Sequence, residues 1–493
     1  MKKVKLKIFI AASGLMTLNS CSKDFLELTP QTSVVAASFF VNEEDYRQAV
    51  TGIYRPLQAL YSDAWVMGEM RSDNTHYIFK TQDRGGQNVE RENISAFTDV
   101  STNAYVRNKY VNCYSGIAKA NAVLVRIDAA TINDAVKQNL KGQAEFLRAF
   151  NYFELVQYFG DVPLHLTEVT EVGKTALPRS PKADVYTQII ADATDAAALL
   201  PVTQAAKGQA TKGAAKTLLG YVYMTLKQYP QAEAALKEVT TMGYSLLPDY
   251  AAIYNPANKN NAESIFEVQY LQGNFGLASN FAYQFAPAVS DTKSITGISG
   301  NNQSFGGWNI PSGDLIAAYE AGDKRKAASI ADGYTDAAGV FVAQPFIKKY
   351  LHTHAEFNNT NDNWPVYRYA DVLLLLAECL NEQNKPAEAL PYVNLVRQRA
   401  GLANAPAQDQ ATMRQTILKE RRVELAFENK RWLDLVRTGK AIEVMTAYGA
   451  KMKQQYPYLS PASYNVTADK FIFPIPFEEL SINKLLTQNP GYQ

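Results

Sequence analysis

Cysteine is scarce in this chain of 493 residues: there are three, Cys21, Cys113 and Cys379. That excludes a disulfide framework, which needs many paired thiols in a small exported domain. Cys113 (Val111-Asn112-Cys113-Tyr114) and Cys379 (Leu376-Ala377-Glu378-Cys379) lie in apolar helical surroundings. They read as two buried free thiols rather than a bridge. Histidine is nearly as rare, with His76, His165, His352 and His354. The pair His352-Thr353-His354 would aim both rings to one side of a strand, but no third ligand accompanies it, so it reads as a pair on a surface loop and no metal is expected. An excess of either charge is also missing, with 49 basic against 48 acidic residues. Removing Met1 to Ser20 takes away four lysines and no acids, leaving 45 against 48, or −3. A balance so near neutrality gives no electrostatic footprint for nucleic acid. After Cys21 no apolar run reaches the roughly 18 residues of a membrane span.

Catalytic signatures are absent too. Gly173-Lys174-Thr175 ends like a phosphate loop, but the first glycine of that motif would fall on Glu168, and the pattern fails. No Gly-x-Ser-x-Gly elbow occurs. Glu420, Glu424 and Glu428 follow one another at i, i+4 and i+8. A glycosidase needs two carboxyls about 5–10 Å apart, one with a raised pKa. Arg421, Arg422 and Arg431 stand close by and would lower carboxylate pKa values. These glutamates therefore read as ion pairs that fix helix packing, Glu428 with Arg431 first at i, i+3. No enzymatic activity and no cofactor are expected.

What the chain does have begins at its first residue. Lys2, Lys3, Lys5 and Lys7 precede the apolar run Ile8-Phe9-Ile10-Ala11-Ala12, and Leu18-Asn19-Ser20-Cys21 follows. This is the layout of a secretory signal with a lipobox-like cleavage site. Residues 1–20 are read as the signal, and Cys21 as a lipidated N-terminus that holds the protein on a membrane without crossing it. A plain secretory signal with Cys21 trimmed away is the alternative.

Helical periodicity dominates the first half. From Glu43 to Tyr61 the residues Tyr46, Val50, Ile53, Tyr54, Leu57 and Leu60 form one apolar stripe. Asn42 is positioned as its N-cap. Similar stripes cover Tyr110 to Ile127, Asn139 to Phe159, and Lys182 to Leu200 after the opening pair Ser180-Pro181. Between residues 212 and 244, Leu219-Gly220, Tyr223, Ala232 and Leu236 match tetratricopeptide spacing. Leu376-Ala377, Leu380, Ala389, Val393 and Val396 repeat it between 370 and 402. The expected architecture is mostly α, a superhelix of stacked helical pairs. From 263 to 363 the character changes: Ser264 to Tyr270 alternates like a strand, and turn residues such as Gly300-Asn301-Asn302 and Gly306-Gly307 abound. A long irregular insert in a helical body usually carries function.

Several long motifs now add up. Ala144-Glu145-Phe146-Leu147-Arg148-Ala149-Phe150-Asn151-Tyr152-Phe153 leads into Gln157-Tyr158-Phe159-Gly160-Asp161. Further on stand Arg368-Tyr369-Ala370-Asp371, Asn394-Leu395-Val396-Arg397-Gln398-Arg399, Glu420-Arg421-Arg422-Val423-Glu424 and Arg431-Trp432-Leu433-Asp434. With Cys21-Ser22-Lys23-Asp24-Phe25-Leu26 at the start and Asn489-Pro490-Gly491-Tyr492 at the end, the chain resembles the SusD/RagB family of Bacteroidetes surface lipoproteins. The resemblance spans essentially all of the chain after the signal. It implies a region 21–262 of SusD-like helices and a C-terminal region 263–493 that contains the loop-rich insert. It also implies a lipid-anchored, cell-surface protein of the outer membrane, partnered by a SusC-like TonB-dependent transporter. Its ligand would be an oligosaccharide or, in some relatives, a peptide. A helical scaffold that binds only protein partners is the reading from a different class, and it leaves the asparagine- and aromatic-rich insert unexplained.

Sugar rings stack on flat side chains while amides and carboxylates bind their hydroxyls. That mixture occurs around Tyr61 to Trp65, Arg71 to Tyr77, Asn274-Phe275, Asn280 to Tyr283 and Asn301 to Asn309. Trp65, Asp73, Asn74, Tyr283 and Trp308 are the ligand-binding residues expected from it. Trp364 and Trp432 lie beside packing motifs and are expected to be structural. Tyr456-Pro457-Tyr458 reads either as a loop anchor or as part of a transporter-facing surface.

Overall fold

The computed structural model describes residues 39–492. The signal and Cys21 lie outside the described residues. The first helix, α1 (Glu43–Ser62), is opened by a reciprocal cap in which Asn42 accepts from the Asp45 amide at 3.2 Å and Asp45 accepts from the Asn42 amide at 3.0 Å. It is followed by α2 (Ala64–Gly68), α3 (Gly86–Ala96), α4 (Ala104–Ile127), α5 (Asp134–Phe159), α6 (Lys182–Leu199), α7 (Lys212–Thr225) and α8 (Tyr229–Val239). The apolar stripes read from the sequence are buried stripes here: Tyr46, Val50, Ile53, Leu57 and Leu60 of α1 are all in the core.

Each long helix packs on the next: α1 on α4, α4 on α5, α5 on α6, α6 on α7, α7 on α8. The α7–α8 crossing is close because of Gly220, where even a Cβ would sit 2.4 Å from Leu236 Cδ2. The row continues into the C-terminal body, where α8 meets α13 (Tyr369–Glu382), and α13 packs on α14 (Pro386–Arg399) and α15 (Gln410–Glu424). The helices α16 (Arg431–Arg437), α17 (Ala441–Gln455) and α18 (Phe477–Ile482) follow. The protein is mostly helical, as the sequence implies, and no described helix is long and apolar enough to cross a membrane.

The irregular insert leaves this body through one pair of strands. Strand β2 (Ser264–Val268) runs antiparallel to β8 (Trp364–Arg368), with Ser264 opposite Arg368 and Val268 opposite Trp364. Between them lie α9 (Phe281–Phe285), α10 (Lys293–Thr296), α11 (Gly313–Ala318), α12 (Lys324–Ser329) and five two-residue strands or strand partners. β3 (Ile310–Pro311) pairs back to β1 (Thr75–His76), β4 (Ile330–Ala331) pairs with β7 (Phe346–Ile347), and β5 (Tyr334–Thr335) pairs with β6 (Phe341–Val342).

Cys113 and Cys379 are buried free thiols, and burial pushes the Cys379 pKa up to about 12. The acidic run behaves as ion pairs, with one correction. The helix α15 ends at Glu424, and Phe427 and Asn429 adopt left-handed φ values of 68° and 62°. Glu428 therefore turns away from Arg431. It accepts from Arg368 Nε and Lys349 Nζ, both at 2.8 Å, while Arg431 pairs with Asp73. The histidine pair differs from expectation as well. His352 Nδ1 meets Asp362 Oδ1 and is part-exposed, but His354 is buried and pairs through Nε2 with the Tyr283 hydroxyl at 2.6 Å.

Candidate functional site

The five residues expected at a ligand site are all buried. Trp65 and Trp308 are both 0 % exposed. They share one cation: the Arg91 guanidinium lies 5.4 Å from the Trp65 ring and 4.9 Å from the Trp308 ring. Trp65 Nε1 donates to Ser62 O at 2.9 Å. Asp73 takes a two-point grip from Arg431 at 2.7 and 3.0 Å and a third contact from Arg422 at 2.8 Å. Burial raises its carboxyl pKa, but Arg431 and Arg422 outweigh that and hold it below the ordinary carboxylate value. Asn74 donates to Glu69 Oε1 at 2.8 Å and accepts from Arg422 Nε at 2.9 Å. Tyr283 is enclosed between His354 and the Phe357 ring. A ring or amide with no free surface cannot meet a ligand in this conformation. In this structure these side chains stand behind a loop face rather than on it.

The frame is laced together by backbone bonds. The Trp308 amide donates to Gln284 O at 3.0 Å, Gly307 N to Ala286 O at 2.8 Å, and Ile78 N to Gly307 O at 2.8 Å. Buried Asn302 donates to Tyr283 O and Pro287 O. Lys80 bridges outward from the 77–80 segment, with Nζ donating to Ser304 O at 2.6 Å above the Trp308 ring. Burial, aided by Arg91, brings the Lys80 pKa down to about 8.

What this frame presents to solvent is a patch centred on Phe305 within the Asn301 to Asn309 segment, with Ile78 beside it. Phe305 is 44 % exposed and Ile78 39 %. Phe357 is half-buried, edge-on to Phe305 at 6.3 Å, and its ring rests against Gly300, where a Cβ would sit 2.0 Å from it. Asn301, Gln303 and Ser304 are exposed around Phe305. Beside them stands a stacked post: the Arg84 guanidinium lies 4.4 Å over Phe79, and Phe79 lies 4.1 Å from Tyr458 with planes 7° apart. Arg84 is fixed by a two-point bond to Glu92 at 2.8 Å for each nitrogen. Tyr458 hydrogen-bonds His76 Nε2 at 2.8 Å, and Tyr456 stacks on the His76 ring at 4.3 Å. Burial takes the His76 pKa down to about 3. The Tyr456-Pro457-Tyr458 segment is thus a loop anchor for this face. Ring surface among amides and hydroxyls suits a ligand with both apolar faces and hydroxyl groups.

Comparison with known proteins places the chain. Residues 336–492 match the family model described as SusD family, and residues 24–224 match one described as starch-binding, associating with outer membrane. The chain belongs to the SusD family. Among its relatives, SusD-like protein P2 of Formosa agariphila is 29 % identical over the full length of both chains. SusD-like protein P25 of the same organism is 27 % identical over 96 % of this chain and 97 % of that one. Among solved structures, a laminarin binding SusD-like protein superposes with a TM-score of 0.77 at 27 % identity, covering 92 % of this chain and 100 % of that one. The SusD fold so identified matches the mostly helical body described above.

Proposed function

We propose that this SusD-family protein binds an oligosaccharide chain at the cell surface without cleaving it, and delivers it to a SusC-like TonB-dependent transporter in the outer membrane. The observation that carries the reading is the loop face of the insert, where Phe305 stands exposed among Asn301, Gln303 and Ser304 and is backed by Phe357. It is supported by the laminarin-binding name of a 27 % identical structural relative and by the starch-binding, outer-membrane description of a matching family model. A peptide ligand has no specific observation in its favour.

The test uses laminarin and soluble starch as probes in isothermal titration and affinity electrophoresis. Wild-type protein should bind at least one polysaccharide and release it unshortened. Phe305→Ala should weaken that binding about tenfold, the worth of one lost stacking contact, with the melting temperature unchanged. Equal affinity for variant and wild type would remove Phe305 from the site, and shortened products would overturn the non-catalytic reading. Anchoring through Cys21 predicts that Cys21→Ser moves the protein from the outer-membrane fraction to the soluble fraction. Co-purification of an outer-membrane barrel with wild type checks the partnership.

A further inference from the structure

We propose that Lys80 is the positioning residue for Phe305, its ammonium a strut that holds the loop tip 303–305 so that the ring faces the ligand; the proposal rests on the glycan-binding reading above. The tip hangs between two pinned ends. Asn302 N donates to Val289 O at 2.9 Å on one side, and on the other Gly306 N donates to Asn302 O and Gly307 N to Ala286 O, each at 2.8 Å. Within the tip, the Gln303 amide turns back to Asn301 Oδ1 at 3.0 Å. Among the described residues, the bond from Lys80 Nζ to Ser304 O at 2.6 Å is the single hydrogen bond that joins 303–305 to another segment.

Packing alone does not account for a lysine here. Lys80 is 8 % exposed, and its Nζ lies 5.1 Å from the Trp308 ring. Burying an ammonium costs free energy that an apolar side chain of similar length would not. So enclosed, Nζ has little surface left for a ligand, and the exposed ring of Phe305 is the contact.

The hold on Ser304 depends on charge. The charged groups that face Lys80 are Arg91 and Glu92 of α3 and Asp83 of its own segment, while the loop 301–309 has no ionisable side chain. Glu92 is already gripped by Arg84. Burial first, then Arg91, bring the Lys80 pKa down to about 8 against the opposite pull of Asp83 and Glu92. A charge-assisted hydrogen bond is about twice as strong as a neutral one. The strut is therefore firm at neutral pH and slackens as pH rises through about 8.

The experiment is calorimetric titration of wild type, Lys80→Met, Lys80→Arg, Phe305→Ala and the double variant with laminarin and soluble starch, beside a melting curve for each. Lys80→Met keeps an apolar stem above Trp308 and removes charge and donor; Ser304 is exposed, so its carbonyl takes water instead. Its melting temperature should match or exceed that of wild type, while affinity at pH 7 falls about fivefold, less than the roughly tenfold loss expected of Phe305→Ala. Adding Lys80→Met to Phe305→Ala should cost nothing further, because the strut acts through the ring. Between pH 7 and pH 9.5 wild-type affinity should fall about two- to threefold, with Lys80→Met flat and Lys80→Arg, charged throughout, holding the neutral-pH value of wild type. Additive losses in the double variant would mean that Lys80 touches the ligand itself, and a lower melting temperature in Lys80→Met would make it a packing residue. Either result, or unchanged affinity in Lys80→Met, overturns the strut and leaves the glycan reading standing. Phe305→Ala binding as tightly as wild type, or no binding of either probe by wild type, overturns both.

Discussion

Trp308→Ala should destabilise the protein by about 3–5 kcal/mol, the cost of emptying a fully enclosed aromatic site. The ring has no exposed surface, and it is the shared surface beneath Lys80 at 5.1 Å and Arg91 at 4.9 Å. Removing it leaves a cavity and takes one aromatic partner from each of two part-desolvated cations. The loss falls at a joint: Trp308 immediately precedes Asn309, held at φ 53°, and β3, whose pairing with β1 ties the insert to the first half of the chain. Calorimetry should show the lower melting temperature with no ligand present. Ligand affinity should fall as well, because the loop bearing Phe305 loses its support. The contrast with Phe305→Ala, expected to lose affinity at constant stability, separates frame from contact. A Trp308→Ala protein that melts like wild type and has lost binding would show that the indole itself reaches the ligand.

The five expected site residues are buried, and the sequence could not show it for one physical reason. A tryptophan in a turn-rich segment signals a large apolar surface, but sequence alone does not tell which side of the loop it occupies. Within Asn301 to Asn309, the segment that was singled out, the tip lies where polar neighbours and glycines flank the ring, as in Gln303-Ser304-Phe305-Gly306-Gly307. Trp308 instead leads into the pairing residues Ile310-Pro311 and is drawn inward by them. The helical body was legible because its apolar stripes recur at helical spacing over many turns. Ser264 to Val268 was legible as a strand because Glu267 and Gln269 stand at alternate positions of the sequence, although burial does not alternate along it, whereas its partner Trp364 to Arg368 has no such polar residues at alternate positions to read. The Asp73 clamp was not legible, since it joins residues more than 340 positions apart in the chain.

Glu424→Gln should cost on the order of 3–5 kcal/mol, the penalty for breaking a buried ion pair from one side. Glu424 is 0 % exposed and binds Arg325 at 3.0 Å together with Arg368 and Arg399. The surrounding cluster sets Arg325, Arg368, Arg397, Arg399 and Lys349 against Asp323, Glu263, Glu420, Glu424 and Glu428. Arg397 also grips Glu320, which Lys419 pairs at the rim, so cations and carboxylates match one for one and neutralising Glu424 leaves an unbalanced charge where water cannot screen it. Glutamine keeps the volume, which isolates charge from cavity. The pH dependence has a definite sign. Burial raises the Glu424 pKa, but Arg399, Arg368 and Arg325 overcome it and hold it well below the carboxylate range. Asp434, buried but held by Arg421 and Arg437, is likewise brought down to about 2. Groups whose folded pKa is depressed add stability above their unfolded value, near 4, and lose it as pH falls through the folded value. Wild type should therefore lose stability steeply below about pH 4, and Glu424→Gln, which has one fewer such group, should lose less over the same interval. Parallel melting curves from pH 7 to pH 3 that converge at the acid end support this account; curves that stay a constant distance apart would mean that the Glu424 charge is not what holds α15 to β8 and α14.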